Sequence, residues 1–156
     1  MAERAWVTVP DRSVTEYLAL DHDRLDTLLA EVIRLMAARR FVEGRPRLAE
    51  FALELRRHMR REEEIAFPRY EQLHGITDGL TRIMRDEHHI VEHYLVRMGE
   101  AAARDDRDGF ESEQEAMAEV LRGHTAREEA MIYPLIDRAL SPADREALVH
   151  AMRAHA

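Results

Sequence analysis

The stretch HMRREEEIAFPRY, His58 to Tyr70, returns later in the chain as HTAREEAMIYPLI, His124 to Ile136. Aligned, the two share His at the first place, Arg at the fourth, Glu-Glu at the fifth and sixth, and Pro at the eleventh. An offset of 66 residues relates them, and it extends outward: Leu55 falls on Leu121, Phe67-Pro68 on Tyr133-Pro134, and Asp21-His22 on Glu87-His88. His22 precedes His58 by 36 residues, and His88 precedes His124 by the same 36. The chain therefore reads as two similar helical hairpins, each with a His on its first helix and His-x-x-x-Glu on its second. Between the adjacent His88 and His89, the offset selects His88.

Apolar spacing supplies the helices. Ser13-Val-Thr-Glu16 is a capping-box signature. From it Leu18, His22, Leu25, Leu29, Val32 and Met36 recur at steps of three and four, which is one face of a helix. FVEGRP (Phe41–Pro46) is expected to break the pattern. A second stripe follows through Leu48, Phe51, Leu55, His58, Glu62 and Ile65, and Pro68 is expected to end or kink that helix. After a break at HGITDG (His74–Gly79), a third stripe runs through Leu80, Met84, His88, Val91, Leu95 and Met98. RDDRDG (Arg104–Gly109) reads as a turn. The fourth stripe is Met117, Leu121, His124, Glu128, Met131 and Leu135, interrupted at Pro134. Ser141-Pro-Ala-Asp144 combines an N-cap with Pro at the first helical position, so a short fifth helix is expected over about 142–155. No segment alternates with period two. The expected fold is all-α: an up-down-up-down antiparallel four-helix bundle with a short C-terminal helix, built as one domain over 1–156 from repeats of about 13–75 and 76–140.

Composition narrows the chemistry. With no Cys among the 156 residues, disulfides, thiol nucleophiles, cysteine-zinc sites and iron–sulfur ligation are excluded. All 23 basic side chains are Arg, so Schiff-base lysine chemistry is excluded as well. A net charge of −8 argues against a nucleic-acid surface. No run approaches a membrane span, and MAERAWVTVP holds no apolar core long enough for a signal peptide, so a cytoplasmic location is expected. Nine His in an acidic chain without Cys is the first hint of metal.

The repeat sharpens that hint. His22, His58, Glu62, His88, His124 and Glu128 all lie on the apolar stripes of their helices. Burying an unpaired carboxylate costs several kcal/mol even after relaxation. Residues four apart sit one above the other on a helix, so His58 with Glu62, and His124 with Glu128, can each present a nitrogen and a carboxylate to one point. His22 and His88 add two further nitrogens. Four imidazoles and two carboxylates fit one tetrahedral zinc poorly. They fit two ions with each Glu bridging, with room for solvent, an oxo or hydroxo bridge or a small ligand. Histidine–carboxylate sites with open positions suit iron. Asp26 and Glu92, four residues after His22 and His88, match across the repeat and are expected at the surface or as hydrogen-bond partners behind the ligands, rather than as ligands. His89 and His93 fall partly off the stripe and stand as solvated residues, supporting residues or additional ligands. Glu63 and Glu129 are expected to face solvent, as are His74, His150 and His155.

With these residues in place the sequence resembles the hemerythrin-like, or HHE cation-binding, family from about Val14 to Leu140. The resemblance rests on DH at Asp21-His22, HMRREEE…FP from His58, EH at Glu87-His88 and HTAREEA…YP from His124. It implies a non-heme di-iron site inside a four-helix bundle, and a protein that binds or senses oxygen, responds to nitric oxide or peroxide, regulates iron, or helps repair iron centres. Oxygen-carrying hemerythrins look like H-x-x-x-H on the third helix and H-x-x-x-x-D on the fourth. Here the fourth helix carries H-x-x-x-E, which places the chain closer to the broader HHE group, although His89 and His93 do form H-x-x-x-H. Members linked to cluster repair look to carry a Cys-bearing N-terminal segment, which this chain lacks. A ferritin-like di-iron site would need Glu-x-x-His on two helices, and only EQLH (Glu71–His74) fits. The resulting expectation is a protein holding two iron ions and a small diatomic or peroxide ligand for sensing, storage or detoxification. Rival readings are a reductant-dependent, peroxidase-like enzyme or iron-delivery factor, and a regulatory metal module without turnover. An external reductant or effector protein is the expected partner, with neither nucleic acid nor membrane.

Overall fold

The computed structural model describes residues 13–75 and 79–155. It is an antiparallel four-helix bundle with a short fifth helix and, among the described residues, no strand. The first helix, α1 (Val14–Ala37), starts where Ser13 accepts a hydrogen bond from the Glu16 N–H at 3.0 Å. The second is α2 (Phe41–Arg61), continued by a π turn (Glu62–Ala66) into α3 (Phe67–His74). The third is α4 (Leu80–Ala103). The fourth is α5 (Arg107–Arg127), continued by a π turn (Glu128–Ile132) into α6 (Tyr133–Ala139). The fifth, α7 (Pro142–Ala154), is capped by Ser141, which accepts from the Asp144 N–H at 3.1 Å. Helix α1 packs on α2, α2 on α4, α4 on α5, and α5 with α6 back on α1, which closes the bundle. Helix α7 lies across α1 and the first π turn. No described helix is long and apolar enough to cross a membrane.

Two expected breaks fall elsewhere. FVEGRP is helical from Phe41 and RDDRDG from Arg107. The true turns are Ala38–Arg40 and Arg104–Asp106, again 66 residues apart. In each, the middle residue is left-handed (Arg39 and Asp105, both at φ 55°). The N–H of Arg40 bonds the carbonyl of Leu35 and that of Asp106 the carbonyl of Ala101, closing each helix end in Schellman fashion. Gly44 and Gly109, which looked like turn residues, serve close approach instead. A Cβ on Gly44 would sit 2.9 Å from Met36 Cε, where α2 starts against α1. The Gly109 N–H bonds the capping Asp106 carboxylate at 2.9 Å, and a Cβ there would collide with that carboxylate. The HGITDG break matches in position, with residues 76–78 outside the described set.

The prolines do not end their helices. Proline lacks an N–H, and its ring crowds the carbonyl four residues back. Each helix absorbs this by widening one turn just before the proline: the N–H of Phe67 bonds Glu62, and that of Tyr133 bonds Glu128, each five residues back. One extra residue turns everything downstream by about 100°. The inward stripe therefore slips by one place. Met131 and Leu135, expected in the core, stand aside, with Met131 48 % exposed, while Ile132, Tyr133 and Ile136 are fully buried. Likewise Ile65 is only partly buried, and Ala66 and Phe67 take its place.

The core has two parts. One gathers Leu25, Val32, Met36, Phe51, Leu55, Val91, Leu95, Met98 and Met117 toward the Ala38 and Arg104 turns. The other gathers Val14, Leu18, Phe67, Tyr70, Met84, Ile132, Tyr133 and Ile136, and α7 covers it with Val149 and Met152. Between them in sequence, on all four bundle helices, lie the His and Glu positions selected by the repeat.

Candidate metal centre

Each bundle helix delivers its polar side chains inward at this level. Helix α1 brings His22, α2 brings His58, α4 brings His88 and α5 brings His124, while Glu62 and Glu128 begin the two π turns. Glu62 and Glu128 are 0 % exposed, and His58, His88 and His124 are buried. The histidines face each other in pairs: His22 Nε2 to His58 Nε2 is 3.0 Å, and His88 Nε2 to His124 Nε2 is 3.1 Å. Both carboxylates span the two pairs. Glu62 points Oε1 at His58 (3.3 Å) and Oε2 at His88 (3.2 Å). Glu128 points Oε2 at His22 (3.4 Å) and Oε1 at His124 (2.6 Å). Two four-residue sets result, His22–His58–Glu62–Glu128 and Glu62–His88–His124–Glu128, and each could hold a metal ion.

The other ring nitrogens fix the tautomers. Nδ1 of His58 meets Asp21 at 2.8 Å, and Nδ1 of His124 meets Glu87 at 2.8 Å. Nδ1 of His22 meets Glu129 at 2.8 Å, and Nδ1 of His88 meets Glu63 at 2.7 Å. An ionised carboxylate only accepts, so each Nδ1–H donates and each Nε2 lone pair is turned to the centre. Two lone pairs 3.0 Å apart repel unless a cation lies between them. The carboxylates make the same demand, because buried Glu62 Oε2 and Glu128 Oε1 accept no hydrogen bond. Without a metal this donor set is matched only if imidazoles take up protons on Nε2; a metal ion in each set would satisfy the carboxylates and the lone pairs together.

Proton affinities reflect the same field. Burial works against charge on His58, yet the charge of Glu62 and the bond to Asp21 outweigh it and hold the imidazole up at about 10. Burial likewise opposes His124, and Glu128 holds it up at about 9. His22 is raised too, by its bonds to Glu128 and Glu129 against the effect of burial. Asp21, despite burial, is held at about 2 by His58 and Arg24. Glu62 sits well below the usual carboxylate range, because the charge of His58 overrides its complete burial.

The structure brings the inner six side chains together, and of the two places expected for Asp26 and Glu92 both take the surface one. Glu92 forks onto Arg56 at 2.7 and 2.9 Å on the surface. Asp26 is exposed at the edge of a cavity and makes no hydrogen bond to the four histidines. The carboxylates that do bond them are Asp21 and Glu87, each directly before a His, and Glu63 and Glu129, each directly after a central Glu. Glu63 and Glu129 had been expected to face solvent; they are about 40 % exposed, yet each reaches across to the other hairpin's histidine. The signal was available: both pairs repeat at the offset of 66. His89 and His93 are exposed, and the Nδ1–H of His89 donates to the Arg85 carbonyl. His74 and His155 are tied elsewhere, to the Leu135 carbonyl and to Glu64.

Two further features were not legible. Tyr133, 0 % exposed, donates its hydroxyl to Glu62 and Glu128, and its phenol is pushed well above the usual range by burial and then by the charges of those glutamates. On the other side, a cavity of about 60 Å³ opens against all four histidines, walled by Leu25, Leu29, Phe51, Leu55 and Leu121.

A family model for the hemerythrin HHE cation binding domain matches residues 13–136. Neither the curated proteins nor the solved structures hold a match to this chain.

Proposed function

Since the chain belongs to the hemerythrin HHE cation-binding family, we propose that it is a non-heme di-iron protein that binds O2, nitric oxide or peroxide for sensing, storage or detoxification. The observation that carries this reading is the pair of His2Glu2 sets sharing both glutamates, with buried carboxylate oxygens that no hydrogen bond satisfies. His22 and His58, with one oxygen from each Glu, would hold one ion; His88 and His124, with the other oxygens, would hold the second. Imidazole and carboxylate donors suit iron. Iron bound there supplies the electrons on which binding or reduction of such a ligand depends.

The chain's own residues do the rest. Asp21, Glu63, Glu87 and Glu129 keep the protons on Nδ1 and leave Nε2 free to donate. The cavity is walled mainly by apolar side chains, and its volume of about 60 Å³ has room for a diatomic molecule or peroxide. The cavity at the histidines, which has room for peroxide, favours a second reading: a peroxidase-like enzyme to which an external reductant supplies electrons.

Metal analysis with a visible spectrum tests the first step. Two irons per chain with ferric charge-transfer bands are expected; one zinc, and no such bands after anaerobic iron loading, would sink the proposal. Peroxide turnover with an added reductant then separates the enzyme from the carrier or sensor.

A further inference from the structure

The two candidate metal positions have matching donors but unmatched neighbours. Tyr133 and Phe67 are equivalent under the offset of 66, each five residues after a central glutamate and each swung inward by its π turn. Tyr133 donates to Glu62 Oε1 and to Glu128 Oε2, the latter at 3.0 Å, and its oxygen lies 3.5 Å from His22 Nε2. All three atoms belong to the His22/His58 set. The oxygens that face His88 and His124, Glu62 Oε2 and Glu128 Oε1, accept no hydrogen bond. On that side Phe67 stacks on His88, with ring centroids 5.7 Å apart and planes at 22°, and offers no hydroxyl.

We infer that Tyr133 makes the two metal positions chemically unequal, weakening the carboxylate donors at the His22/His58 position and leaving those at the His88/His124 position at full strength. Tyr133 acts through the glutamates and is a positioning residue. The inference rests on the two-iron reading above. Its physics is short. A hydrogen bond from a neutral O–H to an ionised carboxylate is charge-assisted and draws on the accepting oxygen. Bonds of this kind to ligating carboxylates tune the metal they hold. Here the donor is fully buried, so water does not compete for it. Because one hydroxyl carries one proton, it serves both glutamates only from the flank where their outer oxygens converge, and that flank is the His22/His58 side.

The test is Mössbauer spectroscopy of the full chain loaded with 57Fe, alongside iron content. The wild type should show two quadrupole doublets of equal area. Tyr133→Phe should draw them together by removing the hydroxyl. Phe67→Tyr should also draw them together by supplying a second one on the other half. The double exchange, Tyr133→Phe with Phe67→Tyr, should restore the separation, which a merely structural role for Tyr133 would not do. Unchanged separation in both single variants at two irons per chain, or one doublet in the wild type, overturns the inference and leaves the two-iron reading standing. One iron per chain or none in the wild type overturns both. Should Tyr133→Phe fail to fold, Phe67→Tyr decides by itself, since it keeps the native hydroxyl.

Discussion

The hairpin running from Val14 to His74 and the one from Leu80 to Ala139 agree wherever donor geometry is at stake and differ just outside it. Both hold a His on the first helix, His-x-x-x-Glu on the second, a π turn opening at that Glu and a proline after it. Both send a carboxylate from the residue after the central Glu to the opposite hairpin's histidine. They differ in how the carboxylate behind the second His is held. Asp21 is buried and gripped by Arg24, with Arg61 at 3.6 Å; Glu87 is more exposed and is met by Arg127. They differ again at Phe67 and Tyr133. The shared features define where a cation would sit, and the differences tune each half.

The largest expected effect breaks the symmetry at its shared point. Glu62 and Glu128 each serve both halves, so Glu62→Ala or Glu128→Ala should abolish binding of both irons. His22→Ala and His88→Ala should each weaken one position and spare much of the other. Iron content by mass spectrometry reads this directly. If a glutamate variant loses one iron and a histidine variant both, the glutamates do not bridge.

Removing the metal comes next. Two long apolar cores flank the site, so chelated protein should stay helical by circular dichroism. Metal bound only by the folded form stabilises it, by about 4 kcal/mol at a thousandfold excess over Kd. For a chain of this size that is a fall in Tm of roughly 10 °C on chelation. Once chelated, the pH dependence has a definite sign. His58 and His124 are raised to about 10 and about 9, so their contribution is full below about 6.5 and is lost as pH rises through 9 to 10. Asp21, lowered to about 2, contributes above about 3.8 and loses its share only as pH falls toward 2. The chelated form should therefore melt highest in mildly acidic buffer and lower at pH 9 to 10. Iron loading, which replaces those protons, should flatten the alkaline fall.

The carboxylates behind the histidines separate the halves more finely. Loss of such a partner typically costs about 10- to 100-fold in metal affinity. Asp21→Ala should sit at the upper end, because it strips His58 of a buried partner and leaves Arg24 with Glu54 alone. Glu87→Ala, Glu63→Ala and Glu129→Ala should follow, since these acids are more exposed and water can replace part of what they do. Competition with a chelator of known affinity measures the order. Equal effects from all four would mean that burial of the Asp21 pair adds nothing.

How much of this was legible follows from what periodicity can carry. Four stripes and an exact offset are properties of the chain, and with i, i+4 geometry they suffice to bring six side chains to one level. The π turns are invisible to a 3.6-residue template, and everything they displace was misread: Met131 and Leu135 in place of Ile132 and Ile136, and Tyr133 left unassigned. The outer carboxylates failed for another reason. The same template marks Glu63 and Glu129 as solvent-facing, which they partly are, and gives no hint that a half-exposed side chain reaches across to the neighbouring helix. The breaks expected at FVEGRP and RDDRDG contain Gly44 and Gly109, yet the left-handed positions are Arg39 and Asp105.

The smallest expected effect concerns the one histidine pattern that the halves do not share. Under the offset of 66, His89 and His93 correspond to Asp23 and Thr27, so the first hairpin has no equivalent of the H-x-x-x-H spacing. Both histidines are exposed, and His89 spends its Nδ1–H on the Arg85 carbonyl of its own helix. The inward place one residue earlier is already filled by His88, whose two nitrogens are directed at His124 and Glu63. For His89 to ligate, α4 would have to turn by about 100°, which would expose Met84, Val91 and Leu95 and extract His88 from the core. That rotation would cost several buried side chains and return one ligand for one lost. His89→Ala and His93→Ala should leave iron content at the wild-type value and Tm within about 2 °C. Loss of iron in the His89 variant, with iron retained in His88→Ala, would show that the helix sits one residue out of register and that the match between the two hairpins does not extend to their ligands.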